Sequence, residues 1–310
     1  MISTIITALL PIFLTVLLGY FAGKQHKFNA DQGAILNKMV MLYALPLSLF
    51  SGMLANKRSQ VLQLEWVFLL LALAFIVGYI IVFFISYKIF KREIKVAVLQ
   101  ALAITCPSVP FVGTPVLGYI YGDISIIPIA ISALIMNLFQ VPFAIYILSM
   151  DENSDNRSLK AIGNNIKKTF IEPVVWAPIT AFILLIANVS IPDNIRSAFQ
   201  LLGNASSGVA LFSAGIMMYS YQVTFSKNVA ISVVSKNFLL PIAIALVGFL
   251  LNIKPDYLNI SVIIVAIPSA TISTILAIQY KVAEKEMTST LFYSIIVSVV
   301  SMSLFLALFH

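Results

Sequence analysis

Two stretches of the chain hold residues that a regular helix does not tolerate. The first is CPSVPFVGTP, Cys106 to Pro115, with three prolines and a glycine in ten residues. Each interior proline removes a backbone hydrogen bond and clashes with the preceding turn, at ~3 kcal/mol. The second is AIPSATIST, Ala266 to Thr274, where Pro268 is followed by Ser269, Thr271, Ser273 and Thr274. A helix broken at such a point starts its second half with free N–H groups and a positive dipole end. Those groups suit an anion. In the first stretch, Thr114 and Pro115 read as the N-cap and first position of the second half-helix. The candidate binding residues are therefore Ser108, Val109, Gly113 and Thr114 in one break, and Ser269, Ala270, Thr271 and Ser273 in the other. Taken singly, each stretch also reads as a kinked packing helix, or as hydroxyls bonded back to their own helix. Asn137 and Gln140 join the candidates because they share a helical face at i, i+3.

Other chemistries are thinly represented. One cysteine, Cys106, excludes an internal disulfide. The two histidines, His26 and His310, lie in a basic loop and at the last position, so no transition-metal site and no catalytic set is expected. All twelve carboxylates, Asp31 and Glu286 among them, fall in connections or near the ends of apolar runs. A proton relay through a buried acid is therefore not expected. Lys38 and Lys236 lie within apolar runs, a few turns from one end. Snorkelling of the long side chain to the interface is the favoured reading, with a cation on an anion path as the alternative. Asn37 and Asn204 are also candidates for that path, and interhelical hydrogen bonding explains them as well.

The elements that must position these residues follow from composition. Of 310 residues, 60% are apolar and 10% charged, and mean hydropathy is +1.01. Soluble domains run nearer 45–50% and about 25%. That excludes a soluble enzyme, and the net charge of +7 is not a nucleic-acid footprint. Ten apolar runs are each long enough to cross a bilayer as a helix: Ile2–Gly23, Ala30–Leu54, Trp66–Tyr87, Val96–Tyr121, Ser125–Ser149, Pro173–Val189, Ile195–Tyr221, Val229–Leu251, Tyr257–Tyr280 and Met287–Phe309. The first has no basic stretch before it and is too long for a signal h-region, so it reads as a span. Connections after odd-numbered spans hold 13 Lys and Arg, and the opposite side holds 4, counting Arg196 at the start of the seventh run. This places the odd connections in the cytoplasm and both termini outside.

The longest connection, 150–171, divides the chain into five spans at 1–149 and five at 172–310. An odd number per half forces the halves into opposite orientations, the inverted-repeat plan of many secondary transporters. Pro11 and Pro178 lie 167 residues apart, as do Asn37 and Asn204, and Pro107-Ser108 matches Pro268-Ser269 at 161. Breaks at matching places in two halves point to a substrate site near the midplane.

The segments ALPLSLF (Ala44–Phe50), PSVPFVGTPVLG (Pro107–Gly118) and AIPSATISTILAIQY (Ala266–Tyr280) resemble the auxin efflux carrier family, which includes bacterial malate and malonate permeases. The resemblance covers all ten spans. Gly113-Thr114-Pro115 follows the family pattern, Ser108 stands where asparagine is usual, and Pro110 is an added proline. The resemblance implies the fold of bile-acid symporters and sodium–proton antiporters: an all-α integral membrane protein in which spans 4 and 9 cross in an X. It further implies a site at that crossing, elevator-like movement, a scaffold of spans 1, 2, 6 and 7 that is often dimeric, and a transport unit of the other six. The expected activity is secondary transport of a small organic anion across the inner membrane. A sodium-coupled symporter of the bile-acid type is the rival. Sodium coupling stays open, because Ser269, Ser273 and Gln279 offer neutral oxygens where those symporters carry an acid. A membrane enzyme lacks a nucleophile–base set here, and a receptor would show no flux.

Overall fold

The computed structural model describes residues 2–55, 65–150, 171, 173–189, 191–221 and 223–309. The expected central connection lies outside the described residues except for Met150 and Ile171. Twelve helices form among the described residues. They are α1 (Ile2–Lys24), α2 (Ala30–Leu54), α3 (Glu65–Ile89), α4 (Ile94–Thr105), and α5, which runs through Val109–Gly113 and Thr114–Tyr121. Next come α6, which runs unbroken through Ile126–Ile135, Met136–Gln140 and Val141–Leu148, and α7 (Pro173–Ile186). The rest are α8 (Asp193–Ser220), α9 (Lys227–Leu250), α10 (Pro255–Ala266), α11 (Ile272–Tyr280) and α12 (Glu284–Phe309). No strand forms among the described residues; a single antiparallel bridge joins Pro107 and Ser269.

Six helices, α2, α3, α6, α8, α9 and α12, are long and apolar enough to cross a membrane. The distribution of side chains fits lipid as the solvent. Leu18, Phe84, Leu246, Leu250 and Val300 face outward, while Thr288, Ser294, Ser298 and Ser301 of α12 are buried. In water such an outer surface would be an extended apolar patch. In a bilayer it is the favoured face, and polar groups turn inward to find partners.

Local sequence explains where the helices start and bend. Asn29 caps α2 by accepting from the Gln32 amide at 2.9 Å, while the Gln32 side chain accepts from the Asn29 amide at 3.0 Å. Of six wide π turns among the described residues, four, Val40–Ala44, Val109–Gly113, Met136–Gln140 and Ser235–Leu239, each end two residues before a proline: Pro46, Pro115, Pro142 and Pro241. The proline lacks an N–H and crowds the turn before it. Shifting the register there relieves both problems, and the amide just ahead bonds five residues back, as Leu45 does to Val40.

The helices associate in two groups. α1 lies on α8, and α2 lies on α7 and α8. The α1–α8 contact is backbone to backbone: a Cβ on Gly19 would strike the Phe212 carbonyl, and one on Gly215 the Val16 carbonyl. Small residues permit that approach in membranes. In the second group α3 packs on α4, α6 and α10, and α12 packs on α9, α10 and α11. Buried polar bonds tie this group together. Ser86 of α3 donates to Gln100 of α4 at 2.6 Å, which donates to Ser232 of α9 at 3.0 Å.

Candidate functional site

α4 ends at Thr105 and α10 at Ala266, each just before a proline. Cys106 (φ −98, ψ 101) and Ile267 (φ −56, ψ 140) leave the helical region. The two unwound segments pair antiparallel: the Ser108 amide donates to the Pro268 carbonyl at 2.8 Å, and the Ala270 amide to the Cys106 carbonyl at 2.9 Å. The expected crossing at Pro107-Ser108 and Pro268-Ser269 is thus present in the backbone.

Each break frees carbonyls, and at each break one of them takes a side-chain donor. Pro107 has no N–H for the Ala103 carbonyl, four residues back; the Ser269 hydroxyl donates to it at 2.8 Å. The Ser269 amide turns to the Ser294 hydroxyl at 3.0 Å. That leaves the Val265 carbonyl, which accepts from Lys236 Nζ at 2.9 Å. Ser294 in turn donates to Asn237 Oδ1 at 2.8 Å.

Beyond the crossing, the chain re-enters helix at once. The Ser108 carbonyl accepts from the Val112 and Gly113 amides at 2.8 and 3.3 Å. Gly113 is itself helical (φ −66, ψ −41). The second half-helix therefore starts at Val109, not at Thr114, and Thr114 does not cap it; its side chain lies outside the described residues. Pro110 sits in the first turn, where a missing N–H is harmless, and Pro115 follows a π turn. Only Pro107 makes the break. On the other side, α11 begins at Ile272 after Thr271 (φ −62, ψ −20).

Both half-helix starts border one small cavity of about 40 Å³. The crossing contributes Cys106, Pro107, Ser108, Ala270, Thr271, Ile272 and Ile275; α6 contributes Met136, Asn137 and Val141. The facing wall is Val40, Leu45 and Leu49 of α2 with Ser206 and Ala210 of α8. No Lys or Arg among the described residues lines it. A second cavity of about 460 Å³ shares Ile275 and is lined by Asn37, Lys38, Gln279 and Lys281.

Of the residues expected here, Ser108, Asn137, Ala270 and Thr271 reach the first cavity. Asn137 Nδ2 also donates to the Ala133 carbonyl at 2.7 Å. The others are placed differently. Gln140 is fully buried and donates to the Phe75 carbonyl at 2.8 Å and to Thr105 Oγ1 at 2.9 Å, a tie between helices. Ser269 is engaged with Ala103, and Ser273 donates to the Ala270 carbonyl at 3.1 Å. Val109 is buried outside the lining, and a Cβ on Gly113 would meet Ile267 at 2.8 Å. Lys38 and Asn37 line the second cavity, whereas Asn204 is exposed in the turn within α8, outside both. Lys236 corrects the snorkelling expectation: it is completely buried, with its ammonium on Val265. The α2 and α8 wall was missed. Its faint signal is the small, polar run Ala205–Gly208, which lets helices approach closely.

Comparison with known proteins places this geometry. The model of a family described as membrane transport protein matches residues 4–306. The chain is 35% identical to the uncharacterized transporter YfdV of Escherichia coli K12 over 99% of this chain and 98% of that one, and equally to YfdV of Shigella flexneri. It is 20% identical to auxin efflux carrier component 5 of Arabidopsis thaliana, over 95% of this chain and 93% of the plant protein. The chain belongs to the membrane transport protein family, that of the auxin efflux carriers. It is a multi-pass membrane transporter and not an enzyme.

Proposed function

We propose that this member of the auxin efflux carrier family moves a small organic anion, of the malate and malonate class, across the cell membrane by alternating access. The observation that carries this reading is the cavity at the crossing, bordered by the starts of two half-helices. Their positive dipole ends, with the first-turn amides of α11, supply an anion site without a buried arginine; at the other start the Ser108 and Val109 amides bond to the Pro268 and Pro107 carbonyls and Pro110 has no N–H. Lys38 and Lys281 in the neighbouring cavity raise the local anion concentration on the approach.

The movement is of elevator type. α1, α2, α7 and α8 form the scaffold, which pairs with a second copy as a homodimer, and the other helices carry the site. The glycine-mediated contact of α1 with α8 supports a rigid frame. The cavity lies between the two groups, where one slides past the other. Ten crossings in two inverted halves, 1–149 and 172–310, belong to the same reading, with both termini outside. The charge bias and the matched breaks at Pro107 and Pro268 support it.

The test is uptake into proteoliposomes of a panel of radiolabelled mono- and dicarboxylates, with and without a membrane potential. Saturable uptake of one or more, competed by unlabelled anion and absent from protein-free vesicles, is the expected result. Inertness toward the entire panel, in uptake and in exchange, would overturn the reading.

A further inference from the structure

Among the described residues Lys236 is the one buried cation, and anion recognition has no direct use for it: it lines neither cavity. It lies in the π turn Ser235–Leu239 of α9, which packs on α4, α10 and α12. None of these brings a carboxylate to it. α4 carries none, and Asp256, Glu284 and Glu286 sit in the first turns of α10 and α12. Glu286 is paired with Arg92 at 2.6 Å. The partner the ammonium does have is the Val265 carbonyl. That carbonyl is free because the Ser269 amide, four residues on, bonds to Ser294. The next possible donor, Pro268, has no N–H.

A carbonyl freed by an unwound helix, at the negative end of a half-helix dipole, is where a membrane carrier coordinates a coupling cation. Here a side-chain ammonium sits at that place. We propose that Lys236 is a built-in cation that replaces a transported one: its ammonium occupies the place at the freed Val265 carbonyl that a coupling cation would take, so anion movement needs no sodium. The charge is tethered at the end of α10 by the Val265 carbonyl and lines neither cavity. It offsets the negative end of α10 and biases the crossing toward an anion in both orientations of the carrier. A buried charge without a carboxylate is costly to keep, and the freed carbonyl offsets part of that cost. Lys236 is thus a positioning residue, acting through the crossing and not by contact with the anion.

This inference rests on the transport reading above, yet its test reads the crossing without any organic anion. Purified protein is melted in detergent against rising sodium chloride, with choline chloride holding ionic strength constant. A ligand that binds only the folded state raises the melting temperature saturably. The wild type is expected to show no difference between the two salts. Lys236→Ala vacates the ammonium and leaves the carbonyl in a space open to a small cation; it should gain a saturable, sodium-specific rise of a few degrees. Lys236→Met fills the space without charge and should show no such rise. A sodium-specific rise in the wild type, or none in folded Lys236→Ala, overturns the proposal. If Lys236→Ala does not survive extraction in choline, extraction in sodium is the same test: recovery supports the proposal, and loss in both salts overturns it.

Discussion

At the break after α4, the carbonyl that Pro107 strands on Ala103 is met by a neutral hydroxyl, Ser269, at 2.8 Å. At the break after α10, the carbonyl stranded on Val265 is met by an ammonium, Lys236, at 2.9 Å. The backbones of the two segments are closely alike, antiparallel and bonded to each other at two amides. An unsatisfied backbone group in lipid costs several kcal/mol, so satisfaction was required at both. Charge was not. The likeness therefore reports what a crossing of broken helices needs in order to fold, and the unlikeness reports what this carrier adds. Substitutions at the half-helix start should act on the anion, and substitutions at the hydroxyl on the fold.

The largest effect is expected at Ser108, which lines the cavity at the start of the second half-helix. Aspartate caps a helix as well as serine does, so Ser108→Asp should insert and fold. Its charge faces the incoming carboxylate. At ~4 Å and an effective dielectric of about 20, two like charges cost on the order of 4 kcal/mol, roughly a thousandfold in affinity. Ser108→Asn caps without charge and should bind within about threefold of wild type. Binding measured by thermal shift or scintillation proximity on equal amounts of folded protein decides the matter. Similar affinity for the two variants would place the anion elsewhere than at this half-helix.

The position of that half-helix start was only partly legible in the sequence. Pro107 and Pro268 were, because a proline frees the carbonyl four residues back wherever it stands in a helix. The start at Val109 was not, because Pro110 and Pro115 look like breaks as well. Whether a proline breaks a helix depends on its distance from the helix end and on whether a π turn absorbs it, as happens before Pro46, Pro142 and Pro241. The apolar runs, by contrast, match the helices closely, because lipid imposes length and composition on every span. Lys236 was misread for a related reason. A lysine a few turns from a helix end reaches the interface unless a partner holds it inside, and its partner, Val265, is 29 residues away in sequence. Gln140 and Asn204 show the same limit from both sides. One is engaged with α3 and α4, and the other lies exposed in a turn; nothing local to either residue distinguishes them.

A smaller effect, on stability, is expected where the partner is neutral. Ser269→Ala leaves the Ala103 carbonyl buried without a donor and should cost about 1–2 kcal/mol. Ser273→Ala is the control. Its hydroxyl bonds back to Ala270, three residues away, and such local bonds add little to a helix. Thermal melting in detergent should therefore separate the two, with Ser269→Ala lower by a few degrees. Equal melting temperatures would mean that another donor, such as water, replaces the hydroxyl, and that the two breaks differ less than their partners suggest.

The smallest effect concerns Lys38, a cation that contrasts with Lys236 in every respect that sets its strength. Lys38 is exposed and lines the outer cavity beside Gln279 and Lys281. Its field reaches an approaching anion through water and is screened within about 10 Å at 0.1 M salt. A charge so placed changes the rate of encounter and its salt dependence more than the stability of the bound state. Lys38→Gln should slow anion association by about two- to fivefold at low ionic strength. The difference should vanish near 1 M salt, where the screening length is about 3 Å. Dissociation should be unchanged throughout. Stopped-flow binding, with each rate followed against salt, makes the measurement. If the loss instead persists at high salt and appears in the dissociation rate, Lys38 holds the bound anion directly, and the contrast between a steering cation and a built-in one collapses.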